Sequence, residues 1–137
     1  MASKPETLAP LREALRNLSD WLRATESAGA IIGGVAVSLL GRPRLTRDVN
    51  AMVILDEGKW DEFLSAGERL GFVPRLPDPL EFARKARVLI VRHEASGIDV
   101  DVVFGDLRFE KEAVARAAWV EVSGIRIPLP LRKTWSS

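Results

Sequence analysis

The chain has 137 residues, enough for one domain with a real apolar core and no need of covalent staples. It contains no cysteine and a single histidine, His93, which excludes disulfides, thiolate metal sites, a cysteine nucleophile and a multi-histidine zinc site. Any metal must therefore be held mainly by carboxylates, which suit magnesium or manganese. Twenty Lys and Arg against nineteen Asp and Glu give a net charge of +1, which is not the field of a protein whose whole surface binds nucleic acid. No apolar run reaches the roughly 18 residues that a membrane helix needs. The opening Met1-Ala2-Ser3-Lys4-Pro5 does not resemble a secretion signal. The expectation is a cytoplasmic protein with no membrane association.

In chain order, Leu8, Leu11, Leu15, Leu18 and Leu22 recur at spacings of three and four, one stripe of an amphipathic helix that ends before Gly29. Ala30-Ile31-Ile32 reads as a short buried strand. Gly33-Gly34 follows directly, then a short helix over Val35–Leu40 stopped by Gly41, then a basic loop from Arg42 to Arg47. Asp48 to Leu55 is the next strand. Asp56 is expected to cap a helix reaching Leu70, with Trp60, Phe63, Leu64 and Leu70 inward and Gly71 at its C′ position. Phe72-Val73 reads as a short strand before a Pro-rich turn.

Asp78-Pro79 reads as an N-cap followed by Pro at the first helical position, opening a helix to Ala86. Arg87–Glu94 and Ile98–Phe104 form an expected antiparallel hairpin about the turn Ala95-Ser96-Gly97. Asp106 is expected to cap a helix over Leu107–Ala117. Trp119–Val122 and Ile125–Ile127 form a second hairpin about Ser123-Gly124. The fold class is α/β of the α+β kind, a mixed sheet flanked by helices.

Side chains two apart on a strand share a face. Asp48 and Asn50 therefore share one, and so do Asp99 and Asp101, while Val49, Ala51, Val100 and Val102 alternate toward the core. Carboxylates at the edge of a buried strand are costly without a partner, and two such strands aimed at one spot repel until a cation joins them. Gly33-Gly34, between strand and helix, lets backbone N–H groups approach a phosphate. Each signal has an ordinary reading as well. Most double glycines are tight turns, Asp48 can bond Arg47 or a loop amide, and Asp99 can pair with Arg92 across the hairpin.

The order of these features is more specific than any one of them. Gly33-Gly34-Val35-Ala36 through Leu45-Thr46-Arg47-Asp48-Val49-Asn50, with a third carboxylate on a later strand, resembles the signature of the DNA polymerase beta-type nucleotidyltransferase superfamily. Within it, Val100-Asp101-Val102-Val103-Phe104-Gly105, Phe109-Glu110 and Val122-Ser123-Gly124-Ile125-Arg126-Ile127-Pro128 are similar to the small bacterial AbiEii-type and minimal nucleotidyltransferases. The resemblance covers about Gly29 to Pro130. It implies a single nucleotidyltransferase domain over 1–130 and a short tail at 131–137, with the family's C-terminal helical region expected to be absent.

The resemblance implies roles by position. Gly33 and Gly34 would cradle a nucleoside triphosphate, and Arg44 and Arg47 would neutralise phosphate charge, against an equal reading as solvated loop arginines. Thr46 reads as a loop cap. Asp48 would ligate Mg2+ or Mn2+, Asn50 takes the second ligand's place, and Asp101 is the third carboxylate, with Asp99 its fallback. The reaction implied is in-line attack of an RNA or protein hydroxyl on the α-phosphate, two metals stabilising the attacking and leaving oxygens. A cognate toxin or antitoxin, in a toxin–antitoxin or phage-defence setting, is the implied partner. Asn50 departs from the pattern, because an amide brings no charge. A non-catalytic member of the fold, binding a nucleotide or a partner, and a change that silences an enzyme both remain open.

Overall fold

The structure, a computed structural model, describes residues 3–32, 48–122 and 124–130. Helix α1 runs over Ser3–Ala24, and strand β1 over Ala28–Ile32. Strand β2 covers Asp48–Ile54, and a 3-10 turn at Glu57–Lys59 leads into α2, Trp60–Arg69. Strand β3 (Phe72–Pro74) and α3 (Pro79–Ala86) precede β4 (Val88–His93) and β5 (Ile98–Phe104). Helix α4 (Arg108–Ala115) and the strands β6 (Ala117–Val122) and β7 (Ile125–Pro130) complete the described chain. No described helix is long and apolar enough to cross a membrane.

The main sheet has the order β1-β2-β5-β4-β3, and β6 and β7 pair separately as a hairpin. Among the described strands, only β2 and β5 run parallel; β1 with β2, β5 with β4, and β4 with β3 are antiparallel. The expected mixed sheet and both hairpins are therefore present. Alternation decides which face is covered. Val49, Ala51 and Val53 on β2, Leu89, Val91 and His93 on β4, and Ile98, Val100, Val102 and Phe104 on β5 are all buried.

The leucine stripe of α1 closes that face. Leu11, Leu15, Leu18 and Leu22 are buried as the spacing predicts, and Ala14 and Trp21 widen the stripe. Trp21 ties α1 to α2. Its ring stacks on Phe63 at 4.4 Å and on Phe72 at 4.7 Å, and its Nε1–H donates to the Phe63 carbonyl at 2.7 Å. At the other end, Trp60 stacks on Phe104 at 4.1 Å and donates through Nε1 to the Leu55 carbonyl at 3.1 Å. His93 is the polar member of this core. Its Nε2–H donates to Asn17 Oδ1 and its Nδ1 accepts from Ser96 Oγ, both at 2.7 Å. Each polar atom of the ring is thus satisfied in the neutral form, as burial requires. Burial holds its pKa below the ordinary imidazole value, against an opposing pull from Glu13.

Three expected helix starts differ in detail. Asp56 stands at an N-cap position but makes no side-chain cap bond, because the first turn tightens to 3-10 and Lys59 N–H bonds the Asp56 carbonyl instead. Helix α3 begins with Pro79 at its first position, yet Asp78 caps it with no side-chain bond. Asp106 does not cap α4. The N-cap position falls one residue later at Leu107, because Glu110 Oε1 reaches back to accept from the N–H groups of both Asp106 (2.8 Å) and Leu107 (3.0 Å). Those two bonds also hold the Glu110 carboxyl below its usual pKa. Gly71 has φ +93°, as a C′ glycine requires.

Candidate functional site

The face of the sheet opposite α1 is divided. Its far half, at the C-terminal ends of β2 and β5, is roofed by α4. A Cβ built on Gly105 would lie 2.9 Å from Ile54 Cδ1 and 3.2 Å from both Glu110 Cβ and Met52 Cγ, so helix and sheet meet closely there and an added side chain would have to displace Ile54. Met52, Ile54 and Val103 are correspondingly half-buried. The near half carries Asp48, Asn50, Asp99 and Asp101.

The parallel register pairs Asp48 with Asp99 and Asn50 with Asp101. Neighbouring strands lie about 4.8 Å apart, so each pair forms a direct cross-strand contact position, and Asp48 and Asp101 stand diagonally, roughly 8 Å apart at Cα. The four side chains share the open face: Asp48 and Asn50 are exposed, Asp99 and Asp101 half-buried. Between them on each strand, Val49, Ala51, Val100 and Val102 point into the core as the alternation predicts. The site carboxylates that sequence reasoning places on one face thus come together on adjacent strands.

Two arginines reach these carboxylates. Arg92 Nε donates to Asp99 Oδ1 at 3.0 Å, the cross-hairpin pair expected as the ordinary reading of Asp99. Arg75, just after β3, is not among the residues that the sequence pattern singles out. Its Nη2 donates to Asp101 Oδ1 at 2.8 Å and its Nη1 lies 3.5 Å from Asp99 Oδ2. Its Nε–H donates to the Val91 carbonyl and its backbone N–H to the Ile90 carbonyl, each at 3.1 Å. Since Ile90 is the register partner of Asp101 on β4, the Arg75 side chain straps across β4 to reach β5. The signal for Arg75 lies in the β3–β4 register, which pairs Pro74 with Val91 and so sets the next residue beside Ile90. A shallow groove lined by Val73, Pro74, Arg75, Arg92 and Glu94 opens alongside.

Gly33, Gly34, Arg44 and Arg47, together with the expected helix over 35–40 and the loop over 42–47, lie outside the described residues. Of the described residues, Ile32, the last of β1, is the register partner of Asn50, and β2 begins at Asp48.

Carboxylate and amide oxygens are hard donors, so by type these residues suit Mg2+ or Mn2+. By charge the set is short. Asn50 contributes a neutral oxygen beside Asp101, and Asp101 is already bonded to Arg75. Among the described residues no group of three or more His, Asp or Glu side chains is arranged to hold a metal ion. The fit is therefore partial: Asp48 and Asn50 offer oxygens side by side, while Asp101 and Asp99 offer theirs in competition with two guanidinium groups.

No family model matches the chain, and no curated protein matches it. Among solved structures, a protein of Thermotoga maritima described as a "putative nucleotidyltransferase" is similar, with 20% sequence identity and a TM-score of 0.51 over 93% of this chain and 78% of that one. At that identity the likeness speaks for the fold alone, and with the mixed five-stranded sheet and its flanking helices it gives this chain a nucleotidyltransferase-like fold.

Proposed function

We propose that the chain is a metal-dependent nucleotidyltransferase-type domain of the AbiEii-like kind, spanning about residues 1–130, whose acidic sheet face receives a nucleoside triphosphate. The observation that carries this reading is the parallel β2–β5 register, which sets Asp48 and Asn50 directly beside Asp99 and Asp101 on the open face. Asp48, Asn50 and Asp101 would hold Mg2+ or Mn2+, with Asp99 in reserve. A metal bound there would neutralise charge on the triphosphate and on the leaving pyrophosphate. Gly33 and Gly34 would contact the phosphates, with Arg44 and Arg47 adding positive charge. The reaction is transfer of a nucleoside monophosphate to an RNA or protein hydroxyl, with a cognate toxin or antitoxin as partner.

Asn50 lowers the charge of this set and weakens transfer. The test is a labelling assay with each of the four triphosphates, Mg2+ or Mn2+, and RNA and protein acceptors, run on the chain and on Asn50→Asp. Incorporation of label by N50D above the chain itself is the expected result. No incorporation by either form with any acceptor would remove the proposal of transfer.

A second reading is favoured by two particular contacts. Asn50 lies directly beside Asp101, and Arg75 bonds Asp101. Both reduce the charge a second metal would need. On this reading the domain binds a triphosphate or a partner without chemistry. It expects magnesium-dependent triphosphate binding by the chain as it stands, with no turnover.

A further inference from the structure

Arg75 is more firmly held than a solvent arginine. Its backbone N–H and Nε–H are bonded to two successive carbonyls of β4, and its side chain is 31% exposed. Such anchoring fixes the guanidinium plane, so both terminal nitrogens are presented to β5 at little further entropic cost. They meet the two half-buried carboxylates of that strand, at 2.8 Å for Asp101 and 3.5 Å for Asp99. Arg92 differs. It pairs with Asp99, and among the described residues no bond ties its side chain, 54% exposed, to the backbone of a neighbouring strand.

We propose that Arg75 is a resident cation of the acidic face, competing with a divalent metal ion for the oxygens of Asp101 and so setting how tightly that ion is held. The inference rests on the reading of this face as a metal site. Two physical effects act in the same direction. The Nη2–H bond occupies a lone pair of Asp101 Oδ1 that a metal would use, and the guanidinium charge repels a second cation at ion-pair distance. A charge-assisted hydrogen bond must be given up, or shared, before Asp101 can ligate. Arg75 acts through Asp101 and is a positioning residue, not a catalytic one.

The experiment is Mn2+ binding to the full chain, followed by the paramagnetic resonance signal of free Mn2+, for the parent, Arg75→Gln, Arg75→Lys, Arg92→Gln, Asn50→Asp and the double variant R75Q with Asp101→Asn. R75Q should bind Mn2+ about tenfold to a hundredfold more tightly than the parent, the range that one hydrogen bond to a charged group spans. R75K, which keeps the charge but not the two-pronged geometry, should fall between them and serves if R75Q does not fold. R92Q should gain less than R75Q, and D101N should abolish the R75Q gain. Equal Mn2+ affinity in parent, R75Q and R75K would overturn the competition while leaving the metal site standing. So would a gain in R92Q as large as that in R75Q, which would assign the effect to bulk charge. Absence of Mn2+ binding in every form, N50D included, would overturn the metal site and the competition together.

Discussion

Asn50→Asp is the substitution whose outcome the geometry constrains most tightly, because it introduces a carboxylate at a position whose cross-strand partner is Asp101. Without metal it should destabilise the fold. Two carboxylates about 5 Å apart repel by about 1 kcal/mol at the dielectric of water and by about 3 kcal/mol at an effective dielectric of 20. Asn50 is exposed and Arg75 already screens Asp101, so the lower figure applies, about 1 kcal/mol. At this chain length that is a fall in Tm of roughly 3–5 °C. With metal the sign should reverse. A divalent ion present at about 100 times its Kd stabilises the folded state by about 2.7 kcal/mol, more than the repulsion removes. Thermal unfolding of parent and N50D, each in chelator and across a Mg2+ and Mn2+ series, reads both effects. Crossing melting curves, with N50D lower in chelator and higher at saturating metal, are expected. If metal leaves the N50D transition unmoved, or moves parent and N50D equally, position 50 is not a ligand position and the pairing argument fails.

Other predictions test the frame that positions the site. Gly67→Ala should destabilise by about 1–2 kcal/mol even after a helix-propensity gain of about 1 kcal/mol, since a Cβ there would lie 2.5 Å from Trp21 Cε2 and the ring is clamped by Phe63 and Phe72; a denaturant midpoint above the parent's would refute this. His93 supplies a pH dependence. Its folded pKa is depressed, so the unfolded chain binds its proton more readily, and stability is full above about pH 6.5 and declines as pH falls below it toward the folded value. Urea midpoints taken between pH 7.5 and 5.5 should fall in the parent and stay flatter in His93→Gln. Glu110→Ala frees the N–H groups of Asp106 and Leu107 and should cost about 1 kcal/mol, with faster amide exchange at those two residues as its local sign.

What could be read from the sequence follows the range of the forces involved. The stripe of α1 and the alternation of β2 and β5 are set by burial alone, so periodicity finds them, including the sharing of a face by Asp48 with Asn50 and by Asp99 with Asp101. The hairpins are short-range and equally legible. Caps are harder, since Asp56 and Asp106 have the right side chains but lose the role to a tightened turn and to Glu110. Arg75 was out of reach for a different reason. Its neighbours in sequence form an unremarkable Pro-rich turn, and its partners are fixed only by the pairing of β3 with β4 and of β4 with β5. The sense of the β2–β5 pairing is long-range in the same way, because fifty-odd residues separate Asp48 from Asp99.

The placement of the acidic face follows from strand direction. Because β2 and β5 are parallel, both begin at the same edge, and each begins with its polar pair: Asp48 and Asn50 on one, Asp99 and Asp101 on the other. Because β1 is antiparallel to β2, it ends at that edge, with Ile32 opposite Asn50. Helix α4 covers the opposite half of the same face, and among the described residues its polar groups lie where the three strand ends meet. There, three carboxylates against two guanidinium groups leave one net negative charge, Asp48, Asp99 and Asp101 against Arg75 and Arg92. Placing a carboxylate at position 50 would make it two. The repulsion that such a face must relieve can be met by a metal ion, by an arginine or by an amide in place of an acid. In this chain the arginine and the amide are both present, on either side of Asp101, which is why metal affinity there should respond to changes at 50 and at 75 and why that carboxylate is the point on which the functional reading turns.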